Sequence, residues 1–378
     1  MCSNCIVRAP APVIDSVERD LATVPDVMRS FLAYCRPGFE SECAQELAAH
    51  DSVLATGGFA RSQRSSGHVE FVLPDVDSAD RFAESVHWRE LVFARQLLRV
   101  TSRIDGLPRE DRLGVLMPAI RAGGRRYRDA WIESPDNDAA RELAGLCRSL
   151  NNALIAAMKR EGLVDPQSTW RLHVCLTDAL TAFVADADIA TTSSWAGGIP
   201  RLRFPSAAPS RSTLKLEEAL LTLLDSDERE RWLKPGMSGV DLGASPGGWT
   251  WQLVRRAISV TAVDNGPMDP ALIDSGLVIH LREDGFRYRP PTPVDWLVCD
   301  MVEQPRRVAA RMAEWLATGW CRHAIFNLKL PMKKRYDEVQ LCRATVEQAV
   351  ATAGRRVEWR ARQLYHDREE VTVFARLR

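Results

Sequence analysis

"VDLGASPGGWTWQLVRR", residues 240–256, decides how the second half of the chain is read. Val240 to Leu242 close a short apolar run, and from Trp249 onward the spacing turns helical. Gly243, Gly247 and Gly248 stand on the connection between them. Glycine there permits positive φ and lets a ligand approach the backbone closely. The spacing Gly-x-x-x-Gly-Gly is neither the dinucleotide Gly-x-Gly-x-x-Gly nor a P-loop, which needs Gly-Lys-Ser/Thr. Pyrophosphate and triphosphate are therefore not the natural ligands of this turn.

Downstream, apolar runs alternate with helical stretches. "SVTAVD", "LVIHL", "DWLVCD" and "HAIFNLKL" read as further strands, and "VAARMAEWLA" and "YDEVQLCRATVEQAV" as helices. This is the pattern of a doubly wound α/β sheet. "VEWRARQL" and "VTVFARL" follow each other with no helix between them, so one of the last two strands is expected to be antiparallel. Asp264 closes the second strand, where a carboxylate suits a ribose diol. Asp284 follows the third, where an adenine edge would be held. Glycine turn, ribose acid and third-strand acid together fit S-adenosylmethionine.

Asp300 ends the fourth strand and Lys329 the fifth. A lysine at the end of an apolar strand is costly unless it reaches a site. In an open α/β sheet the C-terminal strand ends converge on one crevice, so these two are expected to meet. Lys215 in "SRSTLKLEEAL" and Glu370 in "HDREEVTVF" are the further candidates, with Glu369 and His366 as neighbours that would compete for the fourth place. A positive Lys215 beside Lys329 would favour the neutral amine, which can take a proton from a hydroxyl. No Asn-Pro-Pro-Tyr or Asp-Pro-Pro-Tyr follows the fourth strand to hold an exocyclic base amine, and no cysteine is placed for carbon methylation.

Upstream, "TTSSWAGGIPRLRFPSAAPSRS" is rich in Ser, Gly and Pro and marks the boundary. The resulting division is an extension over 1–28, an α/β region over 29–190, a linker over 191–204 and the glycine-turn domain over 205–378. In the α/β region a strand at "FLAYC", a helix from Glu40 to His50, a strand at "GHVEFVLP", a helix at "SADRFAESVHW" and a strand within "ELVFARQLLRVTSRI" suggest a ferredoxin-like unit. Helices are expected to dominate 111–160, followed by two strands around Thr177-Asp178. Arginine is dense between Arg95 and Arg128. Either these residues face RNA, or they are solvated and balanced by neighbours such as Glu110, Asp111 and Asp129.

The bulk numbers bound the rest. A chain of 378 residues with 46% hydrophobic and 26% charged residues is a globular protein of two domains or more. No apolar run approaches the length of a membrane span and no export signal is evident, so a cytoplasmic protein is expected. The net charge is zero, so any nucleic-acid surface must be local. The cysteines are nine and scattered, as in a reduced chain, and Cys2 and Cys5 lack the two further ligands a zinc site needs. No metal is expected.

With these residues in view, the segment 205–378 resembles the FtsJ-type RNA 2'-O-ribose methyltransferases, with their Lys-Asp-Lys-Glu tetrad at Lys215, Asp300, Lys329 and Glu370. More narrowly, "CRPGFESECAQEL", "DLGASPGGWTWQLV", "VDNGPMDP", "LREDGF" and "LYHDREEVTVF" look like the bacterial rRNA large-subunit methyltransferase M family. The resemblance implies a Rossmann-like class I methyltransferase sheet behind a ferredoxin-like and THUMP-containing RNA-binding region. It implies a monomer that methylates the ribose of a cytidine in the peptidyl-transferase region of 23S rRNA, unmodified or in an early assembly intermediate. It also implies that Ser212, Ser245, Pro246, Gly247, Gly248, Asp264, Asp284 and Asp300 line the S-adenosylmethionine site. Two other readings stay open on the residues alone: a non-catalytic RNA-binding assembly factor with a relict fold, and an RNA base N-methyltransferase.

Overall fold

The computed structural model describes residues 29–138 and 140–378; the 1–28 extension, with Cys2 and Cys5, lies outside the described residues. Two seven-stranded sheets carry the chain.

The first sheet holds β1 (Ser30–Tyr34), β2 (Phe59–Ser62), β3 (His68–Val72), β4 (Gln96–Asp105), β5 (Asp129–Glu133), β6 (Trp170–Leu176) and β7 (Thr181–Asp188), in the order β2-β3-β1-β4-β7-β6-β5. With α1 (Glu40–Ala48), α2 (Asp51–Thr56) and α3 (Val76–Ser85), strands β1 to β4 form the ferredoxin-like unit. Its edge does not end the sheet: β4 pairs antiparallel with β7, so the next unit, with α4 (Arg112–Ala122) and α5 (Ala140–Arg160), continues the same ladder. Two strands escape the sequence reading. β2 is a largely exposed four-residue edge strand with no apolar alternation, and β5 is a five-residue strand inside the stretch read as helical. β5 is specified by its neighbour instead, through parallel pairing with β6.

The second sheet holds β8 (Ser238–Leu242), β9 (Ser259–Val263), β10 (Val278–Leu281), β11 (Val294–Cys299), β12 (Cys321–Lys329), β13 (Val357–Arg362) and β14 (Glu370–Leu377). Around it lie α6 (Thr213–Leu223), α7 (Ser226–Trp232), α8 (Gly248–Val254), α9 (Pro270–Asp274), α10 (Pro305–Thr318) and α11 (Arg335–Thr352). The order is β10-β9-β8-β11-β12-β14-β13, so the strand order reverses between β8 and β11, beside the glycine turn. β8 to β12 are parallel; β14 is antiparallel to both β12 and β13. Apolar runs with no polar alternation become strands covered on both faces.

The two sheets share a core. One cluster joins Phe31, Phe82 and Phe93 of the first half to Val240, Phe326 and Trp315 of the second. Two buried charges tie segment 88–95 into place. Glu46 accepts the N–H groups of Val92, Phe93 (2.9 Å) and Ala94 (3.2 Å). Arg362 donates to the carbonyls of Trp88, Leu91 (3.3 Å) and Arg95 (3.5 Å). The Ser/Gly/Pro-rich stretch is also pinned: Ser193 N–H donates to Gln96 Oε1 (3.1 Å) and Gly197 N–H to Glu133 Oε2 (2.6 Å).

Candidate active site

The C-terminal ends of the parallel strands β11 and β12 lie side by side, and the charged residues there, Asp300 and Lys329, meet. β12 and β14 run in the register Lys329↔Glu370, which puts the two side chains directly opposite on one face. Glu370 accepts from Lys329 Nζ through Oε2 and from Lys215 Nζ, on α6, through Oε1. Asp300, just past β11, stands 3.5 Å from Lys329 Nζ and 3.6 Å from Lys215 Nζ. Two lysine amines and two carboxyl groups thus form one closed cluster. Burial acts to pull Lys215 down, but Asp300 and then Glu370 outweigh it and hold its ammonium above the usual lysine range. Burial raises Glu370, yet the two lysines leave it below the usual carboxylate range. The competitors for the fourth place are engaged elsewhere: Glu369 pairs with Arg335 (3.0 Å) and His366 Nδ1 bonds Glu218 (2.7 Å).

Behind the cluster lies a buried relay that sequence reasoning missed. Asn327 Nδ2 donates to Asp300 Oδ1 (2.7 Å), and Thr372 Oγ1 donates to Asn327 Oδ1 (2.6 Å). Asp367 stands beside Thr372 (3.0 Å) and accepts Leu364 N–H (3.0 Å). Burial, then Glu370 and Glu218, push Asp367 well above the usual carboxylate range. The one local signal was a polar Asn inside the apolar run "HAIFNLKL".

The glycine turn abuts this cluster. Gly243 takes φ 78°, and a Cβ on it would sit 2.7 Å from Met301 Cγ; one on Gly285 would sit 2.9 Å from Met301 Sδ. Met301, unnoticed in the sequence, therefore packs against both glycines, and the positive φ of Gly243 is what favours glycine there. Ser245 N–H donates to Asp264 Oδ2 (3.0 Å) and Gly266 N–H to Oδ1 (2.7 Å), so Asp264 shapes the turn and keeps one lone pair on each oxygen. Ser245 and Pro246 are joined by a cis peptide bond. Gly247 and Gly248 open α8, and Gly248 packs against Ser212 and Ser210 at the start of α6. Asp284 is exposed and holds its own loop through Phe286 N–H (2.8 Å).

Asp241, inside β8, is a further find. It is 1% exposed, its Oδ2 accepts from Thr250 (2.7 Å), and its Oδ1 has no hydrogen-bond partner among the described residues. Burial pushes its carboxyl up to about 7; the Thr250 hydrogen bond opposes this, and the Asp300 and Asp264 charges add to it. An orphaned buried carboxylate beside a glycine turn fits a ligand that brings a hydrogen-bond donor or a positive charge. That is one observation on which the residues present accept a cationic methyl donor.

Above Lys215 and Ser212 a cleft of about 1010 Å³ opens between the halves, walled by Arg36, Arg201, Arg211 and Arg368 and by Tyr365. Arg211 and Arg368 have no acidic partner among the described residues, whereas Arg99, Arg103, Arg121 and Arg125 of the arginine-dense stretch are paired with Asp80, Glu70, Glu161 and Asp186. For those four the balanced alternative holds. Among the described residues no group of His, Cys, Asp and Glu is arranged to hold a metal, and no helix is long and apolar enough to cross a membrane.

Comparison with known proteins agrees with this geometry. Residues 28–98 match the RlmM ferredoxin-like domain, residues 111–187 the ribosomal RNA large subunit methyltransferase M N-terminal family, and residues 208–377 the FtsJ-like methyltransferase family. The ribosomal RNA large subunit methyltransferase M of Xanthomonas axonopodis pv. citri is 52% identical over 351 residues, covering 92% of this chain and 99% of the relative. That of Xanthomonas oryzae pv. oryzae matches at the same identity and coverage. TrmN from Thermus thermophilus aligns over 92% of this chain and 99% of its own, at 19% identity and a TM-score of only 0.34. The chain belongs to the ribosomal RNA large subunit methyltransferase M family.

Proposed function

We propose that the protein transfers a methyl group from S-adenosylmethionine to the 2'-hydroxyl of a cytidine in the peptidyl-transferase region of 23S rRNA. The observation that carries this is the closed cluster in which Glu370 bridges Lys215 and Lys329 while both lysines face Asp300. When bound, S-adenosylmethionine supplies an activated methyl group and one more positive charge. Asp241, Asp264, Asp284 and the turn from Ser245 to Gly248 would hold it, with Ser212 and Asp300 at its reacting end. Lys329 takes the proton of the 2'-hydroxyl, and Glu370 and Asp300 fix the Nζ that receives it. Lys215 shares Glu370 and so reduces the negative charge that Lys329 feels. The paired geometry aligns the hydroxyl oxygen for in-line attack, and alignment itself supplies much of the rate. The arginine-walled cleft takes the RNA backbone, with the THUMP-like second unit of the first sheet on its outer side.

The test is methyl transfer to unmodified 23S rRNA followed by digestion to nucleosides. 2'-O-methylcytidine is the expected product; a base-methylated nucleoside, or no product, overturns the reading.

Two ligand predictions accompany it. Asp264→Ala weakens S-adenosylmethionine binding by about 1.5–3 kcal/mol, the range for a lost hydrogen bond to a charged group. Calorimetry reads this, and a change below twofold would remove Asp264 from the site. Asp241 sets a pH dependence. Its carboxyl takes up a proton near 7 in the folded chain, against about 3.9 when unfolded. Between those values the folded state binds more protons, so the stability of the ligand-free protein falls as pH rises from about 4 to about 7. A cationic ligand prefers the ionised carboxylate, so its affinity rises as pH approaches about 7 and levels off above it. Asp241→Asn flattens both trends; an unchanged pH profile in that variant would assign the titration elsewhere.

A further inference from the structure

Val302 and Met332 are the two most exposed large apolar side chains among the described residues, at 87% and 90%. Both stand at the mouth of the active site. Val302 lies two residues beyond Asp300, in the loop between β11 and α10, and Met332 three beyond Lys329, in the loop between β12 and α11. β11 and β12 are adjacent parallel strands, so the two loops leave the sheet side by side.

Neither loop is left loose. Arg306 at the start of α10 forms a two-pronged pair with Glu338 at the start of α11 (3.0 and 2.9 Å), which ties the loops together. Arg335 then fastens the second loop to the first half of the chain: it donates to Gly38 O (3.2 Å), lies 3.6 Å from Glu42 and stacks its guanidinium 4.2 Å from the Phe39 ring centroid. Lys334, the residue before it, adopts the left-handed region at φ 56°, a conformation that non-glycine residues hold mainly where the surroundings impose it. Two apolar tips are thus held out into water by a braced frame. Lys333 and Lys334 beside Met332 are exposed and have no acidic partner among the described residues, which gives the tips a basic flank.

Apolar side chains pushed between bases, with lysines near the phosphates, are how proteins unstack nucleic acid. Glu303 beside Val302 is paired with Arg307, so the unpaired charges next to the tips are the two lysines, which suits a polyanion and not a second apolar protein surface. We propose that Val302 and Met332 form a wedge that enters the RNA stack next to the target nucleotide and opens it, so that the ribose 2'-hydroxyl can reach Lys329. This rests on the methyl-transfer reading given above.

The test uses the full chain, the Val302→Ser/Met332→Ser double variant, and an rRNA fragment carrying the target in native form or with an abasic ribose on either side of it. Both substituted positions are exposed, so the fold is not at stake, and S-adenosylmethionine affinity serves as the check on it. Single-turnover methyl transfer by the double variant is expected to fall tenfold or more on the native fragment and to return to within about threefold of the unsubstituted protein on an abasic fragment, because the stack is already open. A variant that methylates the native fragment at the normal rate, or that is equally impaired on all fragments, overturns the wedge. An unsubstituted protein that methylates no fragment overturns the methyl-transfer reading itself and leaves the two failures distinguishable.

Discussion

Lys329→Ala removes nearly all turnover while S-adenosylmethionine affinity stays within a few-fold. Loss of a general base costs about 10²–10⁴ in rate, and the loss of a group that also positions the hydroxyl adds to this. The readout is single-turnover methyl transfer with saturating donor. Lys329→Arg is the sharper test. Guanidinium keeps the charge and can still reach Asp300 and Glu370, but it cannot be deprotonated in the working range. It is expected to be almost as inactive as the alanine variant. Near-normal turnover by Lys329→Arg would mean that a fixed positive charge suffices, and the base assignment would have to be given up. Lys215→Met complements it: Glu370 is then left to Lys329 alone, the ammonium form is favoured, and the pH–rate profile moves to higher pH.

The second large effect is on the joint between the halves. Arg362→Met removes the guanidinium hydrogen bonds to the carbonyls of Trp88, Leu91 and Arg95 and takes away an opposing charge that lowers the Glu46 carboxyl. Burial pulls this guanidinium down to about 10, with Glu46 working against that shift, so it stays charged at neutral pH. Breaking a buried charge of this kind costs about 3–5 kcal/mol. Urea unfolding is expected to show the extrapolated unfolding free energy fall by that amount, with the midpoint moving to lower urea. It is also expected to remain one transition, because Phe31, Phe93, Val240 and Phe326 belong to one core. A loss under 1 kcal/mol would show that the apolar contacts alone dock the halves.

The same residues show what the sequence makes legible. Asp264, Asp300 and Lys329 each follow or end an apolar run, and a charge at that place has few uses other than a site. Lys215 and Glu370 lie away from those parallel strand ends and stand only as further candidates, with Glu369 and His366 as rivals for the fourth place; the fold draws the first two together. Asp241 and Asn327 sit inside strands, where a polar residue is a weak signal until its burial is known. Arg362 and Glu46 were out of reach altogether. Their partners are backbone groups, which carry no residue identity, and for Arg362 those groups lie far along the chain. The cleft arginines failed for the opposite reason. Arg36, Arg201, Arg211 and Arg368 are dispersed in sequence and so give no local signal, whereas in the dense run between Arg95 and Arg128 the residues Arg99, Arg103, Arg121 and Arg125 are paired.

The register Lys329↔Glu370 has a bearing on how the sheet avoids mispairing. β14 is apolar after Glu370 except for Thr372 and Arg376, and such a strand could slide along β12 by one residue with little change in backbone hydrogen bonding. A slip of one turns every side chain to the other face. It would set Val371 against the two lysines and drive Glu370 to the opposite side of the sheet, stranding like charges around Asp300. The four charges therefore act as a key cut for one alignment. A misaligned molecule would be penalised in its folding and, on the proposed mechanism, would lose its chemistry at once, so the fraction of chains that turn over substrate would also count the fraction that are threaded correctly.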